Sequence, residues 1–286
     1  MKIKLHLTID RREFYSVPSE IVSVEGKTYE LLERIGSGGN GVVHECIDIH
    51  GNQYAVKFLL RFGQKITHRF LREVELMKTV RHHHLIKYID SGITEVTSKR
   101  NSSSKCHFVI MEKAEKNLLQ LINSCEYLTY DIYAPQFRGL AEALAVFHNV
   151  AIHRDIKPEN ILVKGENWIL SDYGVSSYIE DSAIELTGEH EKIGPRFWMS
   201  PEAMSCCINA NKSIDMSSDV YQLCAVFWFV VTKAHPSGIL TEDDWNDNDK
   251  LIYNVMHKSL LHNHTRRPQS GQALYEEIYK ATILRS

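Results

Sequence analysis

Six cysteines, seven prolines and no long apolar run in 286 residues exclude several classes of protein at once. Cys46, Cys106, Cys125, Cys206, Cys207 and Cys224 form no C-x-x-C pair, and a chain this long needs no disulfide staples. The expectation is six free thiols in a reducing, cytoplasmic compartment. No apolar stretch approaches the roughly 20 residues that cross a bilayer. The longest, LCAVFWFVV (223–231), suits a buried helix, so no membrane partner is expected. The start, MKIKLHLTID, alternates as a strand does and lacks the apolar core of a signal peptide. Charge of one sign is also lacking: 33 Lys and Arg stand against 36 Asp and Glu, a net of −3. A dominant nucleic-acid surface would be basic, so no nucleic-acid partner is expected. No internal repeat is visible.

What is there divides near residue 111. Before it, YELLERIG (29–36), VVHECIDI (42–49) and QYAVKFLL (53–60) read as strands, with HGN (50–52) as a hairpin tip. HRFLREVELMKTV (68–80) carries apolar residues at helical spacing. LIKYIDSGI and CHFVIME read as two further strands, and the polar, serine-rich TSKRNSSSK (97–105) between them as an exposed, mobile loop. From 117 the pattern is helical: NLLQLINS, PQFRGLAEALAVFHN (135–149) and SSDVYQLCAVFWFVVT (217–232), the last apolar on most faces. The layout is α+β, a strand-rich lobe and a helical lobe with a cleft between.

Several constellations carry chemistry. Gly36, Gly38 and Gly41 have G-x-G-x-x-G spacing, but strand-like residues follow rather than a helix. That leaves two readings, a plain hairpin and a flap whose backbone N–H groups approach phosphates. Lys57, flanked by apolar residues in YAVKF, needs a partner, either phosphates or a carboxylate such as Glu73. In HRDIKPEN, Asp155 precedes Asn160 by five positions, and Asp172 follows in LSDYG. Asn160 and Asp172 offer hard oxygen donors suited to Mg²⁺. Asp155 suits acceptance of a hydroxyl proton, and Lys157 suits a developing phosphoryl charge.

With these residues in place, the chain resembles the eukaryotic-type protein kinase superfamily from about residue 29 to 268. The motifs are GSGGNGVV, YAVK, HRDIKPEN, DYG and SPE, with SSDVYQL and RRP in support. The resemblance implies a bilobal fold: an N-terminal extension at 1–28 packed on the N-lobe, the N-lobe at 29–111, a hinge at 112–116 and the C-lobe at 117–286. It implies ATP and Mg²⁺ as cofactors and a protein substrate. Lys57 would hold the α- and β-phosphates and pair with Glu73. Asp155 would orient and deprotonate the acceptor hydroxyl, Lys157 would support the γ-phosphate, and Asn160 and Asp172 would hold the metal. Gly36, Gly38 and Gly41 would cover the nucleotide. Ile35, Val43, Ala55 and Leu162 would sandwich adenine, Glu112 to Ala114 would supply its backbone hydrogen bonds, and Met111 would guard the inner pocket. Met77, Tyr88, His153 and Tyr173 would stack into a column. Asp219 would anchor the catalytic loop, and Glu202 would pair with Arg267.

Some positions depart from the family pattern. Tyr173 replaces the commoner Phe, and Ser200 the commoner Ala. Pro195, with Trp198, stands where serine/threonine kinases usually carry a Thr, which is closer to tyrosine kinases. Lys157 is typical of serine/threonine kinases and lies at the chemistry. Serine or threonine is therefore the expected acceptor, and dual or tyrosine specificity the alternative, ahead of a pseudokinase scaffold or a small-molecule phosphotransferase. Arg154 would bind a phosphate placed on the activation loop by autophosphorylation in trans, on Thr187 or on Ser176, Ser177 or Ser182, with Tyr178 a further candidate. Glu191 would supply part of that charge. His82, His83 and His84 lack the companions of a metal site and read as a turn.

Overall fold

The computed structural model describes residues 2–8, 11–37, 41–59, 63–178, 197–206, 214–245 and 249–284, with the side chains of 2–13, 178 and 206 left out of account. The chain divides into two compact units, residues 1–79 with 86–114, and residues 80–85 with 115–286.

The first unit is an eight-stranded antiparallel sheet with one helix. Its strands are β1 (Lys2–Thr8), β2 (Arg11–Ser16), β3 (Glu20–Val22), β4 (Thr28–Ser37), β5 (Gly41–Asp48), β6 (Gln53–Leu59), β7 (Tyr88–Ser98) and β8 (Ser103–Glu112). They run in the order β1-β2-β7-β8-β6-β5-β4-β3. The sheet curls, so that Val24, just past β3 at one edge, donates its N–H to the Ser91 carbonyl on β7 at 2.9 Å. The concave core gathers Val42, Cys46, Val56, Phe58, Val96, Cys106, Phe108 and Ile110 with Tyr15, Val17, Ile21 and Tyr29. The first 28 residues thus contribute strands to both edges and three side chains to the centre of this core.

Helix α1 (Gln64–Thr79) starts four residues earlier than its apolar spacing predicts, because the Gly63 carbonyl already accepts the Thr67 N–H at 2.9 Å. The β5–β6 tip forms as the sequence predicts: Gly51 has φ +78° and the Asp48 carboxylate accepts the N–H groups of His50 and Asn52, each at 2.9 Å. Residues 97–105 correct the expectation of a loop. Strand β7 runs through Ser98 and β8 begins at Ser103. The tip is closed by the Ser98 N–H on the Ser102 carbonyl at 2.9 Å and by their hydroxyls at 2.6 Å. Serine, lysine and arginine carry little intrinsic strand preference, but alternate burial of Val96 and Ser98 fixes the register.

The second unit is mostly helical: α2 (Leu118–Ser124), α3 (Tyr130–Phe147), α4 (Pro201–Cys206), α5 (Met216–Thr232), α6 (Lys250–Ser259) and α7 (Gly271–Ile283). Asn117 and Gln120 close a capping box on α2. Helix α3 begins five residues before Pro135, where the sequence placed its start, since the proline removes only one N–H and the added turn buries Tyr133 and Ala134. Helix α5 is capped by Asp215 and buried over most of its surface. Its centre stacks on α3, with the Phe137 and Phe227 rings 3.9 Å apart. Short strands complete the unit: β9 (Lys116–Asn117), β11 (Ile161–Lys164) and β12 (Asn167–Leu170) form one sheet, and β10 (Ala151–Ile152) pairs with β13 (Ser177–Tyr178). No described helix is long and apolar enough to cross a membrane.

Candidate active site

In the first unit the sheet register gathers the predicted residues on one face. Val43 lies opposite Lys57, and Lys57 opposite Val109; in the next row Ala55 lies opposite Met111. Directly opposed residues project to the same side of a sheet. Lys57 Nζ donates to Glu73 Oε1 of α1 at 2.6 Å, with both side chains buried. Gly41 packs tightly beside them: a Cβ there would lie 3.0 Å from the Phe58 carbonyl oxygen and 3.1 Å from Lys57 Cγ. Gly36 pairs with Val43, and Ile35 beside it is exposed. Gly38 lies outside the described residues. The Glu112 carboxylate accepts the Lys87 N–H at 2.9 Å, which fixes the start of segment 112–114.

In the second unit the loop after β10 is held from α5. Asp219, fully buried, accepts the His153 N–H at 2.6 Å and the Arg154 N–H at 2.8 Å. His148 donates from Nε2 to Asp219 at 3.0 Å while its Nδ1 accepts the Gly271 N–H at 2.9 Å. Burial alone would raise the Asp219 carboxyl, but the His148 hydrogen bond and the loop N–H groups hold it below the usual carboxylate range. Gln222, one turn along α5, accepts the Ile156 N–H at 3.0 Å and donates to the Arg154 carbonyl at 3.3 Å. Arg154 and Asp172 adopt left-handed backbone, φ +69° and +64°, a conformation that L-residues hold only where the surroundings over-determine it.

On this frame Asp155 Oδ2 accepts from Lys157 Nζ at 2.9 Å and from Asn160 Nδ2 at 2.8 Å. The β11–β12 pairing and the Ser171 N–H and hydroxyl on the Asn160 carbonyl, at 2.9 and 2.8 Å, bring Asp172 beside Asn160 in the chain path. Leu162 lies on β11 opposite Asn117. Of the predicted column, His153 and Tyr173 meet edge to face at 5.6 Å, both against Phe147. Burial pushes the His153 imidazole down from its usual value. Glu202 receives Arg267 at 2.7 and 2.9 Å and the Ser218 hydroxyl at 2.6 Å.

Of the remaining candidates, some pack on this loop and some lie outside the described residues. Ser177 is fully buried, and the Ser176 hydroxyl donates to the His153 carbonyl at 3.2 Å. Ser182, Thr187, Glu191 and Pro195 lie outside the described residues, as does the Tyr178 side chain. Trp198 rests edge-on against Phe229 and His235. In the histidine run, His84 Nδ1 meets the Trp168 carbonyl at 2.7 Å and His82 approaches Glu142 at 3.5 Å. Among the described residues no group of three or more His, Cys, Asp or Glu is placed to hold a metal ion. Cys46, Cys106, Cys125 and Cys224 are free thiols. The sequence reading missed Gln222 and His148. The signal for Gln222 was available, since Asp219 and Gln222 are polar residues one turn apart in a mostly apolar, buried helix.

A curled antiparallel sheet with a Lys–Glu pair, followed by a helical unit holding an Asp-Lys-Asn loop, defines the protein kinase class. The model of the protein kinase domain family matches residues 29–282, and the chain belongs to that family. It is similar to a probable serine/threonine-protein kinase of Encephalitozoon cuniculi, 24% identical over 258 residues that cover 90% of this chain and 45% of that protein. It is also similar to the probable serine/threonine-protein kinase PknB of Bifidobacterium longum, 27% identical over 221 residues, 75% of this chain and 31% of that one. A third relative is mitogen-activated protein kinase 9 of Oryza sativa subsp. japonica, 26% identical over 236 residues, 81% of this chain and 32% of that one. The chain spans less than half the length of each of these relatives.

Proposed function

We propose that the protein transfers the γ-phosphoryl of ATP to a serine or threonine hydroxyl of a protein substrate. The observation that carries this is the Asp155 carboxylate, held by Lys157 and Asn160 on a loop whose backbone is tied to Asp219 and Gln222.

The roles follow from the chemistry of each group. Lys57, aligned by Glu73, holds the α- and β-phosphates, and the Gly36–Gly41 turn covers them with backbone N–H groups. Ile35, Val43, Ala55 and Leu162 enclose adenine, Glu112 to Ala114 present backbone hydrogen bonds to it, and Met111 limits the inner pocket. Asp155 orients the acceptor hydroxyl and takes its proton as the phosphoryl group departs from ADP. Lys157 offsets charge on the transferring group.

The Asn160 amide nitrogen is engaged by the Asp155 carbonyl and carboxylate, each at 2.8 Å. Its carbonyl oxygen, with the Asp172 carboxylate, makes a hard donor set that fits Mg²⁺. When bound, the ion would neutralise phosphate charge. A cytoplasmic setting and autophosphorylation in trans on the activation loop belong to the same reading. The burial of Ser177 and the bonded hydroxyl of Ser176 favour Thr187 or Ser182 as the acceptor.

The test is γ-phosphoryl transfer from radiolabelled Mg-ATP to protein substrates, wild type against Asp155→Ala. Labelled serine or threonine with the wild type and none with the variant supports the reading. Labelled tyrosine would shift it to the dual-specificity alternative, which Trp198 and Pro195 favour. Equal labelling by both proteins would remove it.

A further inference from the structure

Glu45 is a carboxylate with only 7% of its surface exposed, on a strand whose neighbours are mostly apolar. It lies opposite Ala55, and Ala55 opposite Met111, so the three form one row across β5, β6 and β8. The adjacent row on the same face is Val43, Lys57 and Val109. Glu45 therefore shares the sheet face assigned above to the nucleotide. It stands four residues along β5 from Gly41, about 13 Å at strand spacing, and so at the end away from the glycine turn.

A carboxylate buried there is costly without a partner. Lys113 supplies one, its Nζ donating to Glu45 Oε1 at 2.6 Å and to Gln53 Oε1 at 3.3 Å. Lys113 sits between Glu112 and Ala114, in the backbone segment assigned to the adenine edge. Glu112 is fixed from the other side: its carboxylate accepts the Lys87 N–H at 2.9 Å, and its own N–H donates to the Lys87 carbonyl at 3.1 Å. Segment 112–114 is thus clamped between β5 and β6 on one side and the start of β7 on the other.

We propose that the Glu45–Lys113 pair is a positioning element for the adenine base. It sets the backbone of 112–114 against the Ala55–Met111 row, so that the apolar wall and the backbone hydrogen bonds meet one ring together. This rests on the nucleotide reading above. The pair acts on the base and not on the phosphates, which belong to Lys57 and the glycine turn. Its removal therefore weakens adenosine and ATP by the same factor.

The experiment is calorimetric titration of the full chain with adenosine and with Mg-ATP, alongside phosphotransfer kinetics. Lys113→Met removes the ammonium. The double variant Glu45→Leu with Lys113→Met removes both charges, leaves no buried carboxylate unpaired, and keeps the comparison valid if the single variant unfolds. Lys113→Arg keeps a charged donor. The expected result is a loss of about tenfold in affinity for adenosine and ATP alike, the size of a broken charge-assisted hydrogen bond, in each variant that lacks the pair. KM for ATP rises by the same factor, and Lys113→Arg stays within about twofold of wild type. Adenosine affinity unchanged in the double variant would overturn the proposal, as would a loss confined to ATP. Wild type that binds neither adenosine nor ATP would overturn the nucleotide reading itself, and the pair would then have nothing to position.

Discussion

Lys57 and Glu73, sixteen residues apart in sequence, meet at 2.6 Å with side chains 10% and 4% exposed. Each offsets part of the cost of burying the other. Lys57→Met removes this short charge-assisted bond to a buried carboxylate, an effect of about 1–3 kcal/mol, and with it the proposed phosphate ligand. Adding Glu73→Leu removes the second charge of the pair and is expected to restore none of the phosphotransfer, whatever it does to stability. Denaturant melts and a transfer assay on both variants check the split.

Asp155 accepts two hydrogen bonds that hold its carboxylate in place. Asp155→Asn keeps the shape and removes the proposed proton acceptor. Turnover is expected to fall by about 10²–10⁴ while ATP affinity and melting temperature stay close to wild type. Steady-state kinetics with parallel ATP titration reads this out.

Glu202 sets a pH window. Burial alone would raise its carboxyl, but the hydrogen bonds from Arg267 and Ser218 and the Arg267 charge outweigh it and hold the group at about 2, against 4.5 unperturbed. The unfolded state therefore binds more protons between those values, and stability rises with pH there. The contribution is fully present above pH 4.5 and is lost as pH falls towards 2, about 3 kcal/mol in all. The difference in unfolding free energy between wild type and Glu202→Gln, measured from pH 6 down to the acid limit, should shrink across that window.

Gly271 opens α7 directly against α3. A Cβ there would lie 2.4 Å from the Ala145 backbone nitrogen and 2.5 Å from the Leu144 carbonyl carbon. Neither atom can yield without moving α3, so Gly271→Ala costs about 1–3 kcal/mol. The same glycine donates its N–H to His148, which bonds Asp219, so catalytic turnover should fall along with the melting temperature.

Tyr15 comes from the segment ahead of the matched family region, yet is 1% exposed within the sheet core. Tyr15→Ala is expected to destabilise the first unit by about 3 kcal/mol, in the manner of a large aromatic removed from a core. Thermal melting of the full chain, followed by near-ultraviolet circular dichroism, measures it.

Much of this was legible in the sequence, and for physical reasons. The α5 stretch is apolar on most faces and was expected at the centre of its lobe, and the strands β4 to β6 are bounded by glycines. The chemistry-bearing residues stand in short motifs whose spacing survives folding unchanged. What escaped was non-local. The two strands of the β7–β8 hairpin were legible, but residues 97–105 looked like a loop because they are polar, and only pairing across the sheet extends the strands into them. Helix α3 was begun at its proline, because local rules place proline at a first turn while burial of Tyr133 extended the helix backwards. Gln222 and Glu45 act through partners 66 and 68 residues away; the one-turn spacing of Asp219 and Gln222 hints at the first, and no local pattern announces Glu45.

The most direct test is mass spectrometry of the purified chain incubated with Mg-ATP and a mixed protein substrate, wild type beside Asp155→Ala. Phosphate on serine or threonine residues with the wild type, absent with the variant, is the expected result. A folded wild type that binds ATP and modifies no protein hydroxyl would contradict the account.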